Sequence, residues 1–228
     1  AGIFGRNKPV LNKKIHILAA GNHGVVDEGV SAYPQEVTAQ MVMNFLAGGA
    51  AINVLSRHAG VEVIVVDAGV KAELPPYPEL ISMRAGCGTG NMMRGPAMST
   101  EQARLCIENG ISIAARQIEG GADIVGTGDM GIGNTTAASS VTAAICRIDP
   151  IEVTGLGAGI AEDRREHKAD VIRKAVELNR PDPSDGLDVL SNVGGFEIGL
   201  LAGVMLGAAA AGRPVLIDEY ISGAAALI

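Results

Sequence analysis

Tryptophan is absent from this chain, and aromatic residues make up only 3% of it, as three tyrosines and three phenylalanines. A core without large rings is built from Ala, Val, Ile and Leu, and the 31 glycines permit the close backbone contacts such a core needs. Cysteine is nearly as scarce. Cys87, Cys106 and Cys146 are odd in number, far apart and form no C-x-x-C pair. This excludes a disulfide framework and a zinc site of ordinary spacing, and fits free thiols in a reducing cytoplasm. Basic clusters are lacking too: the net charge is −7 and no face carries the positive footprint of a nucleic-acid binder. An anionic ligand must therefore be held locally, by backbone dipoles and a few cations. No signal peptide is expected, because no charged segment precedes an apolar one at the start. The longest near-apolar run, Ile198 to Ala211, falls short of the roughly 20 residues that cross a bilayer and reads as a buried helix.

What is present is an alternation. Apolar runs at Ile15–Ala20, Val61–Val66, Asp123–Val125, Val153–Leu156 and Pro214–Ile217 read as strands, and several are unbroken, as in strands covered on both faces of a parallel sheet. Helical spacing fills the gaps over Val37–His58 (interrupted at Gly48-Gly49), Glu101–Gln117, Ala137–Ile145, His167–Asn179 and Asp188–Ala211. In the last of these, Gly199, Gly203 and Gly207 recur every fourth residue and offer a flat stripe for close helix packing. Leu74 to Gly95, rich in Pro and Gly, is the only long irregular stretch. With no linker and no repeat, residues 1–228 form one α/β domain: a doubly wound, mainly parallel sheet with helices on both faces, a Rossmann-like three-layer arrangement. In such sheets ligands sit beyond the carboxyl ends of the strands. The segments following the strands, Gly21-Asn22-His23-Gly24, Asp67-Ala68-Gly69, Gly157-Ala158-Gly159 and Asp218-Glu219, gather glycines and acids at that edge.

The richest of them is Gly126-Thr-Gly-Asp-Met-Gly-Ile-Gly-Asn-Thr-Thr136, read as a glycine loop leading into a helix. Glycines bring N–H groups close to a ligand, Asn-Thr-Thr supplies caps, and the helix start favours an anion, most often phosphate. Asp129 is the one acid in the segment. Gly126 to Gly131 also matches G-x-G-x-x-G, but a dinucleotide fold wants an acid about 20 residues on, at the end of the next strand. Asp149 lies near that distance, in an apparent loop before Pro150. Lys168 begins a helix just after the second glycine loop, where a lysine could reach a phosphate as a point charge. His23, with Asp27 and Glu28 nearby, invites a metal reading. A loop histidine bonded to backbone fits better, since Gly24 and Gly29 break any helix that would align the three. No metal and no cofactor are expected.

Five separated motifs together carry a resemblance: Gly29-Val-Ser-Ala-Tyr-Pro34, Val37-Thr-Ala-Gln-Met41, Gly126 to Thr136, Asp188-Val-Leu-Ser-Asn-Val-Gly-Gly-Phe-Glu197 and Gly203-Val-Met-Leu-Gly-Ala208. The chain resembles the nicotinate-nucleotide–dimethylbenzimidazole phosphoribosyltransferases of cobalamin synthesis, in one order and over its whole length. The resemblance implies transfer of phosphoribose from nicotinate mononucleotide to 5,6-dimethylbenzimidazole, by a cytoplasmic homodimer without nucleic-acid or membrane partners. It places Gly131, Gly133, Asn134, Thr135 and Thr136 on the phosphate and ribose. Gly157, Ala158, Gly159 and Lys168 form the opposite wall, and Tyr33, Gln40, Met41 and Met130 the base pocket. Asp129 is the catalytic residue, where better-known members carry a glutamate. Three departures stand out. Asn22 replaces the aspartate of a usual Asp-His-Gly, the family's N-terminal helical segment is missing, and so is its C-terminal segment, whose Gly-Glu-Gly glutamate is regarded as the principal base. Ending at Ala-Ala-Ala-Leu-Ile, in a helical pattern, the chain reads as truncated. A non-catalytic nucleotide- or azole-binding core and a dinucleotide-dependent oxidoreductase are the alternative readings.

Overall fold

A computed structural model describes residues 2–5, 7–157 and 164–228. The apolar run after Asn12 becomes β1 (Lys14–Gly21), the middle strand of the sheet. Its alternate residues divide between two cores. Ile15, Ile17 and Ala19 face one side, while Leu18 and Ala20 face the other. A strand wetted on neither face has no use for polar alternation, which is why the run is unbroken.

From β1 the chain passes through a 3₁₀ turn (Gly24–Glu28) into α1 (Glu36–Leu46) and α2 (Ala51–Ala59), and returns in β2 (Val61–Gly69). Residues 36–59 are together long and apolar enough to cross a membrane, but they form two helices of 11 and 9 residues. Gly48, at φ +76°, turns the chain between them. A three-residue strand, β3 (Leu80–Ser82), lies inside the stretch expected to be irregular. Next come α3 (Thr100–Glu119) and β4 (Ile124–Met130). The long excursion after β4 carries α4 (Asn134–Cys146), α5 (Pro150–Val153), α6 (Arg165–Asn179), α7 (Gly186–Val193) and α8 (Phe196–Ala210), before β5 (Val215–Ile217) and α9 (Glu219–Ala225).

Among the described residues five strands run parallel in the order β3-β2-β1-β4-β5, with helices on both faces. This is the expected doubly wound, three-layer architecture. One layer is deep: α8 lies on the sheet with α3 across it at backbone distance. A Cβ on Gly203 would meet Ile107 O at 2.0 Å, and one on Gly110 would meet Leu200 O at 2.0 Å, so the glycine stripe is a packing surface. The other layer is α1 and α2, over Leu18, Ala20, Val65 and Val70.

Three local expectations are corrected. Val153–Leu156 is no strand; Asp149 caps Ile151 N, Pro150 opens the short α5, and residues 154–157 carry neither helix nor strand. Asp188–Ala211 is two helices, parted at Gly194-Gly195, where a Cβ on Gly194 would press on Leu190 O at 2.6 Å. The segment Gly126–Met130 is not loop but the body of β4.

Candidate active site

The strand order places a switch point between β1 and β4, from which the chain leaves in opposite directions; the crevice outside their carboxyl ends is where such sheets take ligands. Gly21 to Gly24 line it from β1, and Gly131 to Asn134 from β4. The first two glycines of G-x-G-x-x-G have another reason to exist. His16 on β1 lies across β4, and a Cβ on Gly126 or Gly128 would come within 2.7 Å or 2.4 Å of its ring. They make room for a side chain rather than for a pyrophosphate, which removes the support for a dinucleotide site. Asp149, spent on capping α5, is no ribose acid either.

The turn proper begins at Gly131, whose Cβ position lies 2.5 Å from Gly21 O. Gly133, at φ +92°, is a conformation open to glycine, and from it α4 starts at the crevice. Ile132 N donates to Thr38 Oγ1 (3.0 Å), tying the turn to α1. Opposite stands Lys168, on the first turns of α6 and buried. Its Nζ donates to Thr135 Oγ1 at 2.7 Å. Burial lowers its pKa to about 8, so the ammonium is short of solvation and well placed to gain from an anion. Gly157, at φ +58°, passes beside both: its Cβ would sit 3.1 Å from Thr135 Oγ1 and 3.2 Å from Lys168 Nζ. Ser31, Gly131, Gly133, Asn134, Thr135 and Gly157 line a cleft of about 40 Å³. A larger apolar cavity, about 630 Å³, lies along α8, β5 and α9 and includes none of these residues. Ala158 and Gly159, expected on the second wall, fall outside the described residues. Thr136, expected beside Thr135, is fully buried, and its hydroxyl has no partner among the described residues.

Below the turn the character changes to acid. Asp129 Oδ2 accepts from Asn134 Nδ2, the first residue of α4, while Oδ1 is buried without a partner among the described residues. Burial is the main reason its pKa is raised well above 3.8, followed by Glu219, Glu197 and Asp218. Glu219 adds its like charge to that penalty, and a carboxylate so raised is a stronger base once its proton is gone. His23 Nε2 donates to Glu197 Oε1 at 2.6 Å, both side chains being sealed from water. The expected backbone bond of His23 is thus replaced by a carboxylate 174 positions away. Sequence reasoning passed over Glu197. Its signal was there: it is the one charged residue between Asn192 and Arg213. No group of His, Cys, Asp and Glu able to hold a metal occurs among the described residues.

The four base-pocket residues divide. Met41 and Met130 both pack on the rim of the core under α1, while Tyr33 and Gln40 are exposed. Asn22 is locked. Its amide donates to Gln35 O (3.0 Å) and Thr38 Oγ1 (3.3 Å), and its carbonyl accepts from Lys71 N (2.9 Å). An aspartate could make only the last of these.

A glycine turn at the switch point of a doubly wound sheet, with the buried Lys168 on one side and Asp129 on the other, agrees with the comparisons. The phosphoribosyltransferase family model DBI_PRT matches residues 1–228. The chain belongs to this phosphoribosyltransferase family. Relatives bear the name nicotinate-nucleotide–dimethylbenzimidazole phosphoribosyltransferase: one from Roseiflexus sp. (strain RS-1) is 59% identical over all 228 residues, and one from Chloroflexus aggregans 57%. Among solved structures, CobT from Thermus thermophilus superposes with a TM-score of 0.95 at 45% identity, over 100% of this chain and 68% of that one. The chain spans about 65% of the length of these curated relatives.

Proposed function

We propose that this chain is the nucleotide-binding core of an enzyme that transfers phosphoribose from nicotinate mononucleotide to 5,6-dimethylbenzimidazole, giving α-ribazole 5′-phosphate and nicotinate. The observation that carries the reading is that Asn134 belongs to both halves of the site. Its residue opens the helix at the phosphate cleft, and its side chain holds Asp129. The phosphate would rest on Gly131–Thr135 and Lys168, which leaves the anomeric carbon toward the acid side.

The chemistry asks little of the protein beyond placement and one proton. A ring nitrogen of the base attacks C1′ from the face opposite nicotinate. The C1′–N bond breaks, its electron pair leaves with the nicotinate ring nitrogen, and configuration inverts from β to α. The N–H proton of the benzimidazole passes to a carboxylate. Asp129 is the acceptor within this chain, with Glu219 sharing the charge, and such general-base help is worth roughly 10²–10⁴-fold. Holding the two rings in line supplies much of the rest. A cytoplasmic homodimer completes the proposal; sedimentation of a monomer at working concentration would count against that part.

The test is nicotinate release, read by chromatography, from nicotinate mononucleotide plus 5,6-dimethylbenzimidazole. The 228-residue chain is run beside one extended to the gene's own stop codon. Activity in the short chain assigns the base to Asp129 or a neighbour, and activity in the extended one alone puts the principal base beyond Ile228. Silence from both, without ligand binding, overturns the proposal.

A further inference from the structure

The His23–Glu197 pair has no part in the chemistry above, yet four glycines from three segments are shaped around it. A Cβ on Gly195 would fall 2.5 Å from His23 Cε1 and 2.9 Å from both Glu197 oxygens. One on Gly21 would fall 2.5 Å from Glu197 Oε2. One on Gly131 would lie 3.2 Å from His23 Nε2, and one on Gly133 3.2 Å from His23 Cβ. The end of β1, the turn after β4 and the start of α8 therefore close on the pair without an intervening side chain. Glu197 Oε2 is buried and has no partner among the described residues, an arrangement that lowers stability and calls for another reason.

We infer that His23 and Glu197 are the positioning residues of the anion turn: their bond sets the height of Gly131 and Gly133, and with it the lie of the Gly131–Thr135 segment against the phosphate. The bond is short and charge-assisted, so it resists stretching more than a neutral one. The turn has little else beneath it. Besides the Asn134–Asp129 and Lys168–Thr135 side-chain bonds, its ties are Ile132 N to Thr38 Oγ1, Asn134 N to Gly131 O and Thr136 N to Gly133 O, each 3.0 Å long, and Ala137 N to Gly133 O at 3.4 Å. None of these reaches the loop after β1 or α8, whereas the pair, against which Gly131 and Gly133 lie, joins the two.

The inference about the phosphate rests on the proposed function, while the mechanical part does not, and the experiment separates them. Amide exchange is followed by NMR at Ile132, Asn134 and Thr136 in the wild type, Glu197→Gln and the double variant His23→Gln/Glu197→Gln. The single variant keeps volume and removes the charge. Its turn amides are expected to exchange at least about tenfold faster, with α3 and α8 unchanged. In the gene-length enzyme KM for nicotinate mononucleotide is expected to rise roughly tenfold, with kcat altered far less. The double variant, like the single one, holds at most a neutral bond, and it also lacks the imidazole against which Gly131 and Gly133 lie, so it is expected to loosen the turn at least as much. It also carries the test if Glu197→Gln alone does not fold. Turn amides that exchange as in the wild type in every folded variant overturn the inference. Looser amides in a protein whose wild type ignores nicotinate mononucleotide uphold the pair's role and sink the transferase reading instead.

Discussion

Asp129 and Lys168 stand on opposite sides of one turn, both withdrawn from water, and burial drives them in opposite directions. The carboxyl is pushed up, with Glu219, Glu197 and Asp218 adding to the effect; the ammonium is pushed down to about 8, with no carboxylate among the described residues to hold it up. Each lacks something a substrate can bring. The acid wants a proton donor and the lysine wants an anion. The two sides also oppose each other in stability. Between 3.8 and its raised value Asp129 holds a proton only in the folded state, so stability falls as pH climbs through that window. Between about 8 and 10.5 Lys168 holds one only in the unfolded state, so stability rises there. Both penalties around one turn are the expense in stability that the proposed binding site would carry.

The comparison can be broken from either side. Asp129→Asn should reduce kcat of the gene-length enzyme roughly 10²–10⁴-fold, and flatten the fall in stability with rising pH. Steady-state kinetics and denaturant titrations would check it, and an unchanged kcat would move the base elsewhere. Lys168→Met should weaken nicotinate mononucleotide roughly 10–100-fold, the worth of a charge-assisted contact of about 1.5–3 kcal/mol. The same variant should be more stable at neutral pH and lose the rise above pH 8, because no buried charge remains. Gly157→Ala sharpens the boundary between the sides. A side chain at φ +58° with its Cβ 3.1 Å from Thr135 Oγ1 should displace the lysine's partner. A loss of about 1–2 kcal/mol from the left-handed backbone alone is expected by thermal unfolding. The smallest effect is Asn22→Asp, about 1 kcal/mol of stability by denaturant titration, since a carboxylate cannot donate to Gln35 O or Thr38 Oγ1.

Much of the fold was legible because β1, β2 and β5 are apolar runs and α1, α3 and α6 keep a helical period. β3 was not, since three half-exposed residues carry no pattern. The break between α7 and α8 was hidden because Gly194-Gly195 lay inside the helical pattern read over Asp188–Ala211, although their neighbours Leu190 and His23 dictate the turn. The glycine motif shows the limit most clearly. Its glycines look alike in sequence. Only the pairing of β1 with β4 reveals that Gly126 and Gly128 serve His16, while Gly131 and Gly133 shape the turn. Lys168 was visible as a lysine opening a helix after a glycine loop. The pairing of His23 with Glu197 was not, because no local pattern links residues 174 positions apart.

The most direct measurement is a calorimetric titration of nicotinate mononucleotide into the wild type and Lys168→Met across pH 8, where burial places the lysine. The account predicts wild-type affinity that falls as pH rises past that point, with proton uptake on binding, and a weak, pH-independent affinity in the variant. Equal affinity in the two proteins, or a wild-type affinity indifferent to pH, would contradict it.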